Sequence, residues 1–305
     1  SAASDVYKRQ DIIWNKRVSP ARDAKFFSTD HEYILVYSKN KESLTTHFLP
    51  RTEKNNSYYK NPDNDPRGPW NSAAYTCNKS RDERPNLYYP ITNPYTGEKI
   101  FPKESAVWAY SEETYQQHVR DNLLYWGVNG EAKQPRKKAF LSEVGDVVPR
   151  SVWSHSDVGS TQKATMENNT IFNMRAFSYP KVSTLVERII QIASDKDSIV
   201  LDSFAGSGTT AHAVLNMNKS DGGNRKFILV EMGDYADTIT AERVKRVING
   251  YGEGKNAVEG TGGNFSYYEL GNPLFMQDGT INDEVDITEV RKYVWYTETQ
   301  SLIHI

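Results

Sequence analysis

The sequence predicts an α/β protein built on a parallel sheet, with a long irregular insertion ahead of the regular part. Three observations carry this. Between residues 177 and 250 helical and strand patterns alternate as helix, strand, helix, strand, helix, the spacing at which each parallel strand is linked to the next by a crossover helix. The first strand of that series runs into "FAGSGTT", two glycines one residue apart that open a helix. Residues 41–172 hold most of the 13 prolines, mixed with Asn, Asp, Tyr and Trp, and show little period.

The elements follow in order. "NKRVSPARDAKFFSTDH" is a polar loop, and "EYILVYSKN" (residues 32–40) reads as a buried strand stopped by a polar turn. "NPDNDPRGPW" (residues 61–70) is irregular, because each proline removes a donor and biases its predecessor away from helix. "SEETYQQHVRDNLLYWG" (residues 111–127) is a helix, capped by Ser111, with Glu112 and Glu113 at its positive end and Gly127 as its stop. A basic turn follows, with Lys133, Arg136, Lys137 and Lys138. "SYPKVSTLVERIIQIAS" is a helix starting near Ser183 with Leu185, Ile189 and Ile192 on one face. "DSIVLDSFAG" is a strand, "TTAHAVLNMN" a helix, "RKFILVEM" a strand, and "ADTITAERVKRVING" a helix ended by Asn249-Gly250. A Gly-rich connector, "NFSYYELG" and a polar tail close the chain.

Bulk properties narrow the field. A net charge of -2 gives no nucleic-acid signal by itself, although a neutral total can hide a basic face. The mean hydropathy of -0.70 is polar for a globular chain. Cys77 is the one cysteine, so an intrachain disulfide is excluded and a reducing, cytoplasmic setting is expected. No apolar run has transmembrane length, and the scattered histidines lack ligand spacing with Cys77, so neither a membrane nor a metal is expected. The two ends, "SAASDVYKRQ" and "ETQSLIHI", fit no surrounding pattern and resemble translated adaptor sequence, so a piece of a longer protein is expected.

The glycine loop admits several readings. A P-loop needs four residues between its glycines and then a lysine; here a single serine separates Gly206 from Gly208 and no lysine follows. Gly206, Gly208 and Ala211 satisfy the dinucleotide pattern G-x-G-x-x-A, and Glu231 ends the next strand, where a ribose-binding acid belongs. An NAD(P)-dependent oxidoreductase is therefore one reading. Against it, only one further strand and helix precede the connector, and Asp202 stands four residues before the turn, where such folds keep apolar residues.

Asp202-x-Phe204-x-Gly206-x-Gly208 resembles motif I of the S-adenosylmethionine-dependent methyltransferases. "DSFAGSGTTAHAV" as a whole is similar to the β-class amino-methyltransferases of DNA, most of all the Mod subunits of type III restriction–modification systems. "DAKFFSTDHEYILVYSKN" resembles the strand region after the catalytic motif of that class. "YPKVSTLVERII" resembles motif X, with Val182 in place of a second proline. "FILVEMGDYADTI" resembles motif II, and "GGNFSYYELG" a segment beyond the last helix.

The resemblance implies a Rossmann-like S-adenosylmethionine methyltransferase sheet, N-terminally truncated, with an inserted loop-rich target-recognition region. Residues 11–45 end the catalytic half, 46–172 read DNA, 173–250 form the cofactor half, and 251–305 are a connector and extension. It implies S-adenosylmethionine bound by Asp202, Phe204, Ala205, Gly206, Gly208, Thr209 and Glu231, with Lys181 from the motif X stretch. The implied reaction is methyl transfer to the exocyclic amine of adenine in DNA. Lys133, Arg136, Lys137 and Lys138 are the phosphate candidates. Double-stranded DNA is the implied partner, with a second copy or a restriction subunit as further ones; a non-catalytic DNA-binding module is the other reading of the same fold. The family's Asp-Pro-Pro-Tyr motif is absent, so no catalytic residue is assigned and the chain alone is expected to be inactive. Asn93-Pro94-Tyr95 is one proline short, lies in turn chemistry downstream of the strand, and is read as a decoy.

Overall fold

The structure is a computed structural model and describes residues 7–40, 42 and 44–300. The chain divides into two compact units: Ser1–Ser160 with Glu187–Asp195, and Thr161–Val186 with Lys196–Ile305.

The first unit starts with β1 (Tyr7–Asn15) and β2 (His31–Ser38), an antiparallel pair. The expected strand 32–40 is β2; β1 was not expected, because its short apolar run Ile12-Ile13-Trp14 adjoins the stretch read as extraneous. Residues 1–6 and 301–305 of those odd ends lie outside the described residues. After β3 (Trp70–Ala74) comes α1 (Glu112–Arg120), then β4 (Leu124–Tyr125), β5 (Arg136–Phe140) and β6 (Val152–Trp153). β6 pairs in parallel with the other side of β1, and Trp14, 1% exposed, donates its indole N–H to the Gly159 carbonyl at 2.9 Å.

The inserted region is more regular than its composition suggests. β3, β5 and β4 form an antiparallel sheet in that order. Beside it Tyr75, Tyr89, Ile91, Trp108, Tyr115 and Trp126 make a buried core, so the insert replaces aliphatic periodicity with large aromatic rings. Leu49 and Val147 exchange two backbone hydrogen bonds of 2.8 Å, which clasps the beginning of the insert to its end. α1 starts as expected, with Ser111 accepting from the Thr114 N–H. It stops at Arg120 instead of Gly127, since Asn122 turns left-handed (φ 51°) and Leu124 and Tyr125 join the sheet.

The second unit opens with α2 (Thr161–Phe172), a stretch whose composition had placed it inside the irregular region. α3 (Ser183–Ala193), which begins in this unit and from Glu187 is counted with the first, β7 (Ile199–Asp202), α4 (Thr209–Asp221) and β8 (Lys226–Leu229) are the expected elements. β7 and β8 pair in parallel, with Asp202 opposite Leu229. The last expected helix is two pieces, a π-helical turn at Ala236–Ala241 and then α5 (Glu242–Asn249), ended by Gly250 at φ 98°. Ala211 and Leu215 of α4 and Val244 and Val247 of α5 are buried together, with Phe227 and Leu229 of β8 against them. The connector is not featureless: β9 (Gly250–Tyr251) and β10 (Val258–Glu259) form a short antiparallel pair, and the tail holds α6 (Ile287–Thr299), capped by Asp286.

Candidate functional site

The glycine loop joins the carboxyl end of β7 to the start of α4. Gly206 (φ 54°) and Gly208 (φ 77°) both take the left-handed conformation, which costs a side-chain-bearing residue free energy. At Gly208 space is also closed, since an added Cβ lies 2.9 Å from the Thr240 carbonyl oxygen. Ala205 is fixed to β8 by donating its N–H to the Val230 carbonyl at 3.0 Å.

Two carboxylates hold the loop from opposite ends. Asp202 accepts from the Phe204 N–H at 3.1 Å and from the Thr210 hydroxyl at 2.5 Å. Glu231 follows β8 and accepts from the Gly206 N–H at 2.7 Å and the Gly233 N–H at 2.8 Å. Burial pushes the Glu231 carboxyl up, but the N–H groups of Gly233 and Gly206 and the Tyr235 hydroxyl outweigh it and hold the group below the usual carboxylate range. Glu231 is therefore an ionised acceptor at neutral pH. Phe204 presents its ring to solvent, 90% exposed.

A buried polar cluster supports the loop from beneath. Arg243 of α5 is fully buried and donates to the Ser207 hydroxyl (3.0 Å), the Thr209 hydroxyl (2.9 Å) and His212 Nδ1 (3.0 Å). Its charge is met by Glu167 of α2 at 3.5 Å, which also accepts from the Ser183 N–H at the head of α3. Burial, together with Arg243, keeps the His212 imidazole neutral. Thr209 donates to the Lys181 carbonyl at 3.1 Å, so Lys181 meets the loop through its backbone. The π turn brings Thr240 to the Gly206 carbonyl, 2.6 Å from its hydroxyl; such wide turns recur at functional sites.

The structure thus gathers Asp202, Phe204, Ala205, Gly206, Gly208, Thr209, Glu231 and Lys181 around one strand–turn–helix. The sequence reading missed Thr210, Thr240, Arg243 and Glu167. Thr210 follows the glycines directly and was within reach of it; a partnership between Glu167 and Arg243 left no local signal.

The basic cluster needs correction. Arg136, Lys137 and Lys138 lie on strand β5, not in a turn, and successive strand residues face opposite sides. Lys138 is 2% exposed, its ammonium held by Asp63 (2.5 Å) and Asp65 (2.8 Å), so it is removed from the phosphate candidates. Lys137 lies over the Tyr110 ring, 5.1 Å from its centroid, and Arg136 donates to the hydroxyl and carbonyl of Ser72. Lys133 and Arg136 are exposed. Asn93 is 2% exposed and fully engaged, donating to the Gly130 carbonyl and accepting from the Tyr95 N–H, both at 2.8 Å; it builds a turn. Among the described residues no group of His, Cys, Asp or Glu could hold a metal, and no helix is long and apolar enough to cross a membrane.

A glycine turn at the carboxyl end of a parallel strand, with an acid closing the neighbouring strand, defines the Rossmann-like class of α/β proteins that take nucleoside ligands. Within that class the chain belongs to the DNA methylase family, whose pattern matches residues 2–242. It is 31% identical over 252 residues to the type III restriction-modification enzyme StyLTI Mod subunit of Salmonella typhimurium, covering 78% of this chain and 37% of that protein. It is 33% identical over 249 residues to the type II methyltransferase M.KpnI of Klebsiella pneumoniae, covering 74% and 57%. To the EcoPI Mod subunit of Escherichia phage P1 the identity is 28%, covering 67% and 35%. The chain spans between about a third and somewhat over half the length of these relatives.

Proposed function

We propose that the protein binds S-adenosylmethionine at the β7–α4 loop and serves transfer of its methyl group to the exocyclic amine of adenine in DNA, as a Mod-type component of a cytoplasmic restriction–modification system. The observation that carries this is the pair of carboxylates, Asp202 and Glu231, set at the two ends of a glycine loop that contains no lysine. Their chemistry fits the group: an ionised Glu231 suits ribose hydroxyls, Asp202 suits an ammonium, and nothing there calls for a phosphate. Gly206 leaves room for close approach, because a Cβ there meets nothing nearer than Phe177 at 3.6 Å. The exposed Phe204 ring offers an apolar face beside it.

When bound, S-adenosylmethionine supplies a methyl group on a sulfonium, an electrophile that needs no metal. The contribution of this chain's cofactor half is orientation. Arg243, Thr240 and Glu231 fix the loop before any ligand arrives, so little ordering remains to be done on binding. The target adenine must leave the base stack to be modified, and Lys133, Arg136 and Lys137 are placed in this reading as phosphate contacts that set register. Double-stranded DNA is the proposed partner, and a restriction subunit and a second copy are the further ones that the Mod relatives suggest.

Calorimetric titration of the chain with S-adenosylmethionine tests the reading. Glu231→Ala removes hydrogen bonds to an ionised acceptor, each worth about 1.5–3 kcal/mol, and is expected to weaken binding about ten- to hundredfold. A nicotinamide dinucleotide binding where S-adenosylmethionine does not refutes it.

A further inference from the structure

Glu167 of α2 is largely buried beneath the glycine loop and touches two segments that are distant in sequence. One carboxylate oxygen, Oε2, accepts from the Ser183 N–H at 3.0 Å and lies 3.5 Å from Arg243 Nη2. The other, Oε1, faces the neutral His212 imidazole, 3.6 Å from Nδ1. Arg243 carries the contact on to the Thr209 hydroxyl at 2.9 Å, and that hydroxyl donates to the Lys181 carbonyl at 3.1 Å. These contacts close a circuit through Ser183, Glu167, Arg243, Thr209 and Lys181. It begins and ends on residues 181–183 and passes through the start of α4.

A counter-charge for Arg243 needs no such path, because any carboxylate within reach serves. The Ser183 N–H is one of the donors that a helix leaves without an intrahelical partner at its first turn, and a side chain just ahead of the helix commonly satisfies such donors. Val182 stands there, fully buried and with no side-chain acceptor. Unlike a proline it also leaves its own φ free. The restraint that this stretch lacks locally is supplied by one oxygen on another helix.

We propose that Glu167 is a positioning residue for S-adenosylmethionine binding: by joining Ser183 to Arg243 it holds residues 181–183 at a fixed distance from the glycine loop. This rests on the reading of the β7–α4 loop as the S-adenosylmethionine site, with Lys181 as part of it. Glu167 itself acts only through Ser183 and Arg243.

The test separates charge from reach. Glu167→Gln keeps an oxygen for Ser183 and Arg243 and loses the charge. Glu167→Asp keeps the charge but is one methylene too short to meet both. The Gln variant should unfold at lower denaturant than the parent, because Arg243 loses its counter-charge, and the Asp variant should be the more stable of the two. Calorimetric titration with S-adenosylmethionine should rank them the other way. The Gln variant should bind like the parent. The Asp variant should bind about tenfold more weakly if the arranged form falls to about a tenth of the molecules. Hydrogen exchange at the Ser183 amide should be slow in the parent and the Gln variant and fast in the Asp variant. The proposal is overturned if the Asp variant binds like the parent, or if the Gln variant binds as weakly as the Asp variant, which leaves Glu167 a counter-charge alone. A parent that binds no S-adenosylmethionine overturns the cofactor reading and this proposal together. A parent that binds it, with an Asp variant that binds equally well, overturns this proposal alone.

Discussion

Replacing Lys138 by Met should destabilise the first unit and leave DNA affinity alone. The ammonium is enclosed between Asp63 and Asp65, and their side chains are 31% and 0% exposed. Removing one partner of a buried pair costs about 3–5 kcal/mol, because the other charge is stranded. Here the lower end applies, about 3 kcal/mol: Asp65 keeps Arg67 on both oxygens, at 2.8 and 2.7 Å, and Asp63 keeps the Trp70 indole N–H at 2.9 Å. For a unit of this size that is a drop of about 6–12 °C in midpoint, readable from tryptophan fluorescence because Trp70, Trp108 and Trp126 are buried there. The effect has a pH signature. Burial raises the Asp63 carboxyl but its bonds to Lys138 and Trp70 prevail, while the Arg67 contact is the largest influence on Asp65; both end below the usual 3.8. A depressed folded pKa contributes stability that is complete above about pH 4 and disappears as pH falls through the folded value. The gap between parent and variant should therefore be full at neutral pH and narrow on acidification below about pH 4. An unmoved midpoint together with a flatter salt dependence of DNA binding would refute this account and return Lys138 to the surface.

Other outcomes follow from the same geometry. Gly208→Ala places a Cβ 2.9 Å from the Thr240 carbonyl at a φ of 77°, so it should cost about 1–3 kcal/mol of stability and most of the S-adenosylmethionine heat in calorimetry. Arg243→Met strands Glu167 and leaves two loop hydroxyls without their donor; a loss of about 3–5 kcal/mol is expected by chemical denaturation. Arg243→Lys should recover only part, because one ammonium cannot reproduce the fork. Lys133→Ala, Arg136→Ala and Lys137→Ala should each flatten the salt slope of DNA binding by roughly 0.9 if the residue meets a phosphate, without discriminating between sequences.

The cofactor half was legible because local rules dominate it. A β-strand ending in acid, a glycine pair and a helix start leave their marks within fourteen residues, 201–214, and each mark has one physical cause. Helix α2 escaped because its buried positions, Ala164, Asn168, Ile171 and Phe172, put an amide in the apolar stripe. The charge relation of Glu167 to Arg243 spans most of the second unit and leaves no pattern nearby. Helix α1 was drawn too long because Leu123, Leu124 and Tyr125 extend its apolar period, while the left-handed Asn122 that ends it is a conformation many asparagines never adopt. Lys138 misled for a related reason: charge is visible in sequence, enclosure is not, and the two aspartates that neutralise it lie more than seventy residues upstream. Helix α6 lies in the stretch read as polar tail, although Asp286 followed by Ile287, Val290 and Val294 stands at helical spacing.

The clasp between Leu49 and Val147 has an evolutionary reach. Where the two ends of an insertion meet at a pair of backbone hydrogen bonds, the segment between them behaves as a cassette: its length and content can change while the strands on either side keep their register. Main-chain bonds make no demand on side-chain identity, so the junction tolerates foreign sequence. On the proposed reading of residues 50–146 as the part that reads DNA, a specificity is exchanged whole by recombination between relatives, a new target arriving in one event rather than by gradual substitution, while the parts outside it are inherited intact.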